Sequence, residues 1–215
     1  MVYPIEKLII PPIYKLWLGK VNGLDNVPKD KPFIIAANHT SYYDVLLLPI
    51  LMVPHTNKKI HAFVNSSYWK PFLTRIFLDY WEQIPVFFKK EKNSEGKNQI
   101  AFKKALNYLK NGELIMIFPE GTRSTDGKLK KAYTGVARLA LQSKVPVLPV
   151  GIINSHKVLP KGRILPRFAK CDVKIGKPLV FEKHYNKNIK DKLLRAITRD
   201  VMKQTAKLIG QKYKY

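Results

Sequence analysis

Residues 33–44 read Phe-Ile-Ile-Ala-Ala-Asn-His-Thr-Ser-Tyr-Tyr-Asp. A continuous apolar run ends at Ala37, polar residues follow it, and apolar residues at helical spacing continue to residue 52. Short apolar runs of this kind are typical of buried strands, so the stretch predicts a strand that leads directly into a helix. Such a junction is a place where polar side chains can converge.

The rest of the chain repeats this alternation of strand and helix. Further buried strands are predicted by the short apolar runs at 84–88, 114–118, 145–153 and 173–175. Helical spacing of apolar residues predicts helices at 42–52, 68–78, 98–110, 135–142 and 190–209. The segment 89–98 is polar and rich in lysine, which is typical of an exposed loop. Because strands and helices alternate, the sequence predicts an α/β fold.

Composition limits the number of domains and the compartment. The chain has 215 residues and 46% hydrophobic content, enough for one substantial core and too little for two domains with a linker. Its 39 Lys and Arg residues against 15 Asp and Glu residues give a formal charge of +24. This charge predicts attraction to nucleic acid, anionic lipid or phosphorylated substrates without choosing among them. The single cysteine, Cys171, cannot form an internal disulfide and fits a reducing, cytosol-facing compartment.

The first 22 residues differ in pattern from the remainder. They show neither a signal peptide nor the roughly 18 apolar residues of a spanning helix. Apolar and aromatic residues with interspersed lysines are typical of a segment that lies on a bilayer surface. The alternative is that Pro11 and Pro12 break the segment, whose apolar residues then pack on the domain. We predict an amphipathic interfacial segment at 1–22 and one domain at 23–215.

His39 and Asp44 are the first candidates for chemistry. A neutral histidine can remove a proton from a hydroxyl near pH 7 if an acceptor holds its other ring nitrogen. Asp44, in the first turn of the predicted helix, is placed to fold back toward the imidazole. The alternative is structural: Ser41 caps the helix, Asp44 is a carboxylate favoured by the helix dipole, and His39 is a hydrogen-bonded bystander.

A second polar stretch follows the predicted strand at 114–118. Residues 118–124 read Phe-Pro-Glu-Gly-Thr-Arg-Ser. Glycine permits a close backbone approach, and the planar guanidinium of Arg123 suits phosphate oxygens. Together they predict an anion-binding loop. Its alternative is an ordinary turn with a solvated arginine.

These two stretches, in this order and separation, resemble the glycerolipid acyltransferase family typified by 1-acylglycerol-3-phosphate acyltransferases. Residues 145–150, Val-Pro-Val-Leu-Pro-Val, look like the fourth motif of that family, and residues 173–178 are similar to its late strand. The resemblance covers about Gly23 to Pro178. It implies a single α/β domain of the H-x4-D type, with a mixed central sheet flanked by helices.

The resemblance also implies roles for individual residues. His39 would be the general base and Asp44 the carboxylate that orients it. The acceptor would be bound by four consecutive residues of the second stretch: Glu120, Gly121, Thr122 and Arg123. The family uses no metal, no cofactor and no covalent acyl-enzyme, with acyl-CoA or acyl-carrier protein as co-substrate. The sequence fits this expectation, since it contains neither a Gly-x-Ser-x-Gly motif nor a Cys/His cluster.

One departure concerns the second motif of the family, which usually ends in arginine. Here residues 81–88 are followed by Lys89 and Lys90. Either lysine can supply a point charge for phosphate, without the bidentate geometry of arginine. Both can equally be solvated surface residues. The identity of the acceptor therefore stays open.

The resemblance implies transfer of an acyl group to lysophosphatidic acid, giving phosphatidic acid in phospholipid biosynthesis. Glycerol 3-phosphate or another lysophospholipid is the alternative acceptor. A different class, a non-catalytic basic protein that binds lipid or RNA, would also explain the charge. No nucleic-acid motif supports RNA binding, so we expect no nucleic-acid partner. We expect a peripheral protein at the cytoplasmic face of an anionic membrane.

Overall fold

The computed structural model describes residues 16–88, 90–160, 162–163, 165–185 and 188–215. Within these ranges seven strands form one sheet: β1 Leu18–Asn22, β2 Ile34–Ala37, β3 Ile60–Asn65, β4 Ile84–Val86, β5 Leu114–Ile117, β6 Val147–Ile153 and β7 Cys171–Ile175. The α-helices of the same ranges are α1 Tyr43–Thr56, α2 Phe72–Tyr80, α3 Ser94–Lys110, α4 Gly135–Ser143, α5 Ser155–Val158 and α6 Asp191–Leu208. Short 3₁₀ turns lie at Leu24–Asn26, Ser66–Trp69 and Glu182–His184.

The strand order is β1-β7-β6-β2-β5-β3-β4. Strands β6, β2, β5, β3 and β4 are parallel to one another, whereas β7 runs antiparallel to β6 and β1 runs parallel to β7. The sheet is therefore mixed, and the predicted α/β fold is confirmed. The five parallel strands all end at one edge of the sheet, which we call the carboxyl edge. Strands β1 and β7 begin there.

The centre of the sheet is covered on both faces. Successive residues of a strand point to opposite faces. Phe33 and Ile35 pack in one core cluster with Leu47 of α1, and Ile34 packs in a second cluster with Leu139 of α4. Helices α3 and α6 add Ala105 and Val201 to that second cluster. Burial on both faces explains why β2 is apolar at every position.

Two strands were not predicted from the sequence. Strand β1 is a partly exposed edge strand, and its pairing with β7 places residues 18–22 in the sheet. The predicted boundary between residues 22 and 23 therefore falls after the first strand of the domain. Strand β3 was missed because His61 and Asn65 interrupt its apolar pattern. Residues 1–15 of the predicted interfacial segment lie outside the described residues.

Two other predicted elements have different bounds in the structure. The helix predicted at 68–78 is a 3₁₀ turn followed by α2, because Pro71 favours an extended backbone and helices readily begin just after such a residue. The segment predicted as a loop at 89–98 is helical from Ser94 onward. Each helix in the described part of the chain is too short or too polar to span a bilayer.

Candidate active site

The site begins where β2 ends at the carboxyl edge. Asn38 is buried there, and its side-chain Nδ2 donates to the Ile152 carbonyl at 2.9 Å while its Oδ1 accepts from the Ile152 N–H at 2.7 Å. These two bonds continue the pairing of β2 with β6 past the last residue of β2. The backbone of the next residue, His39, is thereby fixed at the sheet edge.

The structure brings His39 and Asp44 together. The distance from His39 Nδ1 to Asp44 Oδ2 is 2.9 Å, and the same oxygen accepts the backbone N–H groups of Thr40 and Ser41, each at 2.8 Å. Asp44 is fully buried. Because a buried carboxylate is the acceptor at Nδ1, the neutral imidazole carries its proton on Nδ1 and keeps a lone pair on Nε2.

The second ring nitrogen of His39 is free to act on a substrate. Among the described residues none hydrogen-bonds Nε2, and the side chain is 14% exposed. The Phe118 ring stacks on the imidazole with a centroid distance of 4.0 Å and an interplanar angle of 17°. This packing and the bond to Asp44 hold the ring in one orientation, as a general base requires.

Ser41 lies in the turn before α1 and is not its cap, because the N-cap position is Tyr42, without a side-chain capping bond. Its hydroxyl accepts the Tyr43 N–H at 3.1 Å and donates to the Leu159 carbonyl at 2.7 Å. The turn at Ser41 and the His39–Asp44 pair therefore coexist, since the carboxylate binds backbone N–H groups that precede α1. A helix start and a catalytic pair are compatible in this segment.

Glu120 connects the two motifs. One carboxylate oxygen accepts the His39 N–H at 3.0 Å and the other accepts the Lys130 N–H at 2.7 Å. The Ser124 N–H donates to the His39 carbonyl at 2.7 Å. Burial raises the pKa of Glu120, and the bonds from His39 and Lys130 oppose that rise. Because its two carboxylate oxygens accept backbone N–H groups of His39 and Lys130, Glu120 holds these two backbone segments together behind the His39 side chain.

Arg123 lies flat on an aromatic ring. Its guanidinium carbon is 3.5 Å from the centroid of the Tyr42 ring, a cation–π contact, and its Nη1 is buried without a hydrogen-bond partner in the part of the chain that the structure describes. The Tyr42 hydroxyl shares a hydrogen bond with that of Tyr68. Burial raises the pKa of Tyr68 to about 12, so the Tyr68 hydroxyl stays neutral near pH 7. The tyrosine pair supports the arginine and was not predicted from the sequence.

Gly121 and Thr122 form the exposed tip of this loop. Gly121 has a φ of +65°, and a Cβ there would lie 2.9 Å from the Tyr133 ring. Both facts require glycine at this position. The Lys130 ammonium donates to the Arg123 carbonyl at 2.7 Å and closes the loop from the other side.

Lys90 is exposed in a groove of about 550 Å³. The groove is lined by Asn65, Ser67, Lys70, Phe88, Lys90 and Glu91. Ser67 belongs to the same 3₁₀ turn as Tyr68, so the groove adjoins the tyrosine pair under Arg123. The second predicted lysine, Lys89, lies outside the described residues. Lys70 is a further cation in this groove that the sequence did not single out.

The C-terminal tail holds the loop that follows Arg123. The Gln211 side chain donates to the Gly127 carbonyl at 2.8 Å and accepts the Leu129 N–H at 3.1 Å. The Tyr213 hydroxyl accepts the Ala132 N–H at 2.9 Å. No sequence pattern indicated these contacts, because the two segments are more than 80 residues apart.

The site shows no metal-binding geometry. In the described ranges, no group of three or more His, Cys, Asp and Glu side chains is arranged to hold a metal ion. What the site offers is a histidine paired with a buried carboxylate beside a stacked arginine. This combination suits proton removal next to a bound anion.

Known proteins are similar to this chain in the sequence of the site region and in fold. The model of the Acyltransferase family matches residues 19–153. The 1-acyl-sn-glycerol-3-phosphate acyltransferase of Bacillus subtilis is 30% identical over 161 residues, covering 74% of this chain and 73% of the relative. The enzyme of that name from Saccharomyces cerevisiae is 33% identical, with 92% and 64% covered.

A longer relative and a solved structure extend the comparison. A chloroplast 1-acyl-sn-glycerol-3-phosphate acyltransferase of Brassica napus is 28% identical over 70% of this chain, which spans only 41% of that relative. The crystal structure of the 1-acyl-sn-glycerophosphate acyltransferase PlsC from Thermotoga maritima superposes with a TM-score of 0.67 at 28% identity, covering 96% of this chain and 80% of that one. With the family model spanning the sheet from β1 to β6 and both motifs, the chain belongs to the acyltransferase family.

Proposed function

We propose that the protein is an O-acyltransferase that moves a fatty acyl group from acyl-CoA or acyl-carrier protein to the hydroxyl of 1-acylglycerol 3-phosphate. The product is phosphatidic acid. The observation that carries the proposal is the His39 imidazole, bound through Nδ1 to buried Asp44 and open at Nε2. Relatives named for this reaction, from bacteria and yeast, support the choice of acceptor.

His39 performs the proton transfers. Its Nε2 takes the proton of the acceptor hydroxyl as the oxygen attacks the thioester carbonyl. The tetrahedral intermediate collapses, the carbon–sulfur bond breaks, an ester remains, and the leaving thiolate takes the proton back from the imidazolium. Asp44 stabilises the imidazolium between these two steps, with its charge held by the Thr40 and Ser41 N–H groups.

Arg123 binds the phosphate of the acceptor. The cation–π contact with Tyr42 holds the guanidinium in place, and its buried Nη1, which has no partner among the described residues, is a donor in need of an acceptor. Through Ser124, the next residue, the loop is hydrogen-bonded to the His39 carbonyl. The arginine and the base are therefore held on one connected piece of backbone. Gly121 and Thr122 form the exposed side of the same loop, and Lys90 and Lys89 are the further candidate cations for phosphate.

The reaction as written needs no metal and no cofactor beyond the acyl donor. The +24 formal charge of the chain attracts either donor, since both are anionic, and it attracts an anionic membrane surface equally. We place the protein at the cytoplasmic face of a membrane as a peripheral protein. Salt should weaken both attractions.

The test is release of free thiol from acyl-CoA or acyl-carrier protein, with the acceptor varied. Lysophosphatidic acid, glycerol 3-phosphate and lysophosphatidylcholine separate the phosphate acceptors from one another. Monoacylglycerol offers a hydroxyl without phosphate. We expect release that depends on lysophosphatidic acid, together with phosphatidic acid as product. The absence of release with every donor and acceptor would favour a non-catalytic lipid-binding protein instead.

Arg123→Ala tests the acceptor site. Removing a charge-assisted contact to phosphate should raise KM for lysophosphatidic acid by roughly 10- to 100-fold. Turnover of any acceptor without phosphate should change little. Arg138→Ala, which removes an exposed arginine from α4, is the control for charge alone. An equal loss for both kinds of acceptor in Arg123→Ala would contradict a phosphate role.

A further inference from the structure

Helix α2, Phe72–Tyr80, has its apolar side turned toward solvent. Phe72, Leu73, Ile76, Phe77 and Tyr80 lie on one face of the helix and are between 47% and 78% exposed. Leu78 is the buried residue of this helix. A helix on the surface of a water-soluble domain normally has the opposite orientation, with its apolar face in the core. The exposed face therefore requires an explanation.

Specific bonds fix this orientation. The Thr74 hydroxyl of α2 donates to the Tyr68 carbonyl at 2.6 Å, and the Trp69 indole N–H donates to Asp79 at 2.7 Å. Asp79 also pairs with Arg75 at 3.5 Å. The side of α2 that contacts the 3₁₀ turn is thus attached through polar groups. Leu78 is the side chain that α2 buries, these polar bonds attach the helix to the turn, and the apolar face of five side chains is left outward.

A further observation concerns the position of α2 in the fold. It follows β3 at the carboxyl edge, the edge that carries His39 and Arg123. Phe88, which follows β4 at the same edge, is 55% exposed. Leu165 and Phe168 lie in the connection from α5 to β7, which is at this edge too, and both are largely exposed. Large apolar side chains therefore surround the active-site end of the sheet.

The charge of the chain selects the partner for this face. Lys70 and Lys90 are exposed next to α2, and the whole chain carries a formal charge of +24. A second copy would bring the same positive charge and be repelled. A soluble acidic protein would match the charge, but five adjacent, largely exposed apolar side chains favour a partner with an apolar interior. An anionic bilayer supplies an apolar interior and a negative surface together.

We propose that the α2 face, defined as Phe72, Leu73, Ile76, Phe77 and Tyr80, inserts into the surface layer of an anionic bilayer. Docking on this face turns the carboxyl edge, with His39 and Arg123, toward the lipid headgroups. The inference rests on the proposed function in one respect, because it supplies the route by which a lipid acceptor reaches His39. The sequence placed interfacial contact at 1–22 and gave no indication of α2.

The test is co-sedimentation of the full-length protein with phosphatidylcholine vesicles, with and without phosphatidylglycerol. We expect binding that requires phosphatidylglycerol and falls with salt. Ile76→Glu should lower the partition coefficient at least about tenfold, because it replaces an inserted apolar side chain by a charge. Leu73→Glu, on the same face, should give the same loss. Circular dichroism checks that both variants are folded.

Val180→Glu is the matched control. Val180 is 54% exposed and Ile76 is 53% exposed, so the two substitutions make the same change of charge at equally exposed apolar positions. Val180 follows Leu179, which pairs with the first residue of β6, so it lies at the opposite end of the sheet. Its vesicle binding should equal that of the wild type. Equal binding by wild type, Ile76→Glu and Val180→Glu would overturn the proposal.

A label at position 76 identifies any other occupant of the face. Because Cys171 is buried, an environment-sensitive dye attached to Ile76→Cys labels one site. We expect dye that a soluble quencher reaches without vesicles and does not reach with them. Shielding without vesicles in a monomer would assign the face to another segment of the same chain. Shielding that depends on protein concentration would assign it to a second copy, and either result overturns the proposal.

The proposed acyltransferase activity and the proposed docking of α2 on a bilayer can be tested independently. Vesicle binding is measured without substrates, so an inactive protein still reports on α2. In the activity assay, Ile76→Glu should keep wild-type turnover with a short-chain lysophosphatidic acid dissolved as monomers. It should lose turnover with acceptor embedded in vesicles. Equal loss on both acceptors would show that Ile76 acts on the active site and not on docking.

Discussion

Two histidine–carboxylate pairs lie within the described residues, and only one is arranged for chemistry. His39 Nδ1 lies 2.9 Å from Asp44, and His61 Nε2 lies 3.0 Å from Glu113. Each imidazole stacks on an aromatic ring, His39 on Phe118 at 4.0 Å and His61 on Tyr108 at 3.6 Å. By composition and distance the two pairs are nearly equivalent.

They differ at the second ring nitrogen. His61 Nδ1 is 3.0 Å from the Glu82 carbonyl, so both nitrogens are engaged, and the side chain is fully buried near the amino ends of β3 and β5. His39 keeps Nε2 free at the carboxyl edge. A histidine beside a carboxylate is therefore insufficient evidence for a base. The open nitrogen is the feature that the proposed catalytic role of His39 rests on and that His61 lacks.

The largest expected effect is on turnover in His39→Ala. Loss of the general base should lower kcat by roughly a thousandfold, measured by thiol release with saturating lysophosphatidic acid. The matched variant, His61→Ala, should keep turnover close to wild type at a temperature at which it is folded. Comparable losses of kcat in the two folded variants would remove the distinction between the pairs.

The carboxylates should differ in the same way. Asp44→Asn keeps the shape of the side chain and removes the charge that stabilises the imidazolium, so kcat should fall roughly a hundredfold. Glu113→Gln makes the same chemical change beside His61 and should leave kcat near the wild-type value. Measuring kcat for both at one pH decides the question. An unaffected Asp44→Asn would mean that Asp44 only holds the start of α1.

The effects on stability should rank in the reverse order, with His61→Ala costing more than His39→Ala. His61→Ala removes a buried stacked ring and the hydrogen bond that its N–H donates, and it leaves Glu113 without its partner, so the free energy of unfolding should drop by about 2–4 kcal/mol. Urea unfolding measures this loss. His39→Ala, which removes one hydrogen bond from a partly exposed ring, should cost less. A larger loss in His39→Ala would contradict a structural role for the His61 pair.

The smallest expected effect is a pH dependence of the stability of the fold, which arises from His61. Burial lowers the pKa of His61 from its ordinary value of 6.5, against the opposing effects of the Glu82 carbonyl and Glu113. Because the folded protein prefers neutral His61, the stabilisation is complete above about pH 6.5 and is lost as the pH falls through the lowered pKa. The destabilisation caused by His61→Ala should therefore shrink from pH 7 toward pH 5. A destabilisation that grows on acidification would mean that the ion pair with Glu113 outweighs burial.

The strands that could be predicted from the sequence are those made of apolar residues only. Strands β2 and β5 are buried on both faces, so every residue in them is apolar and the run is visible in the sequence. Strand β3 contains His61, whose polarity is satisfied by Glu82 and Glu113 from distant parts of the chain. Its burial is a tertiary property, and no local pattern expresses it.

In the candidate site, too, local contacts could be predicted and long-range contacts could not. The contact between His39 and Asp44 was predictable because both residues lie within one local turn. The stacking of Arg123 on Tyr42 joins residues 81 positions apart, and spacing alone gives no information about it. The α2 face was missed for another reason. Periodicity shows that a helix has two unlike faces, and it does not show which of them the domain covers.

The contacts of the C-terminal tail have a consequence for synthesis of the protein. Gln211 and Tyr213 hold the loop at 127–132, which in turn presents the Lys130 N–H to Glu120 behind the base. Both residues are translated after all seven strands of the described sheet. The acceptor loop is fastened only afterwards. A chain that lacks residues 211–213 would therefore carry every strand of the described sheet with this loop unfastened.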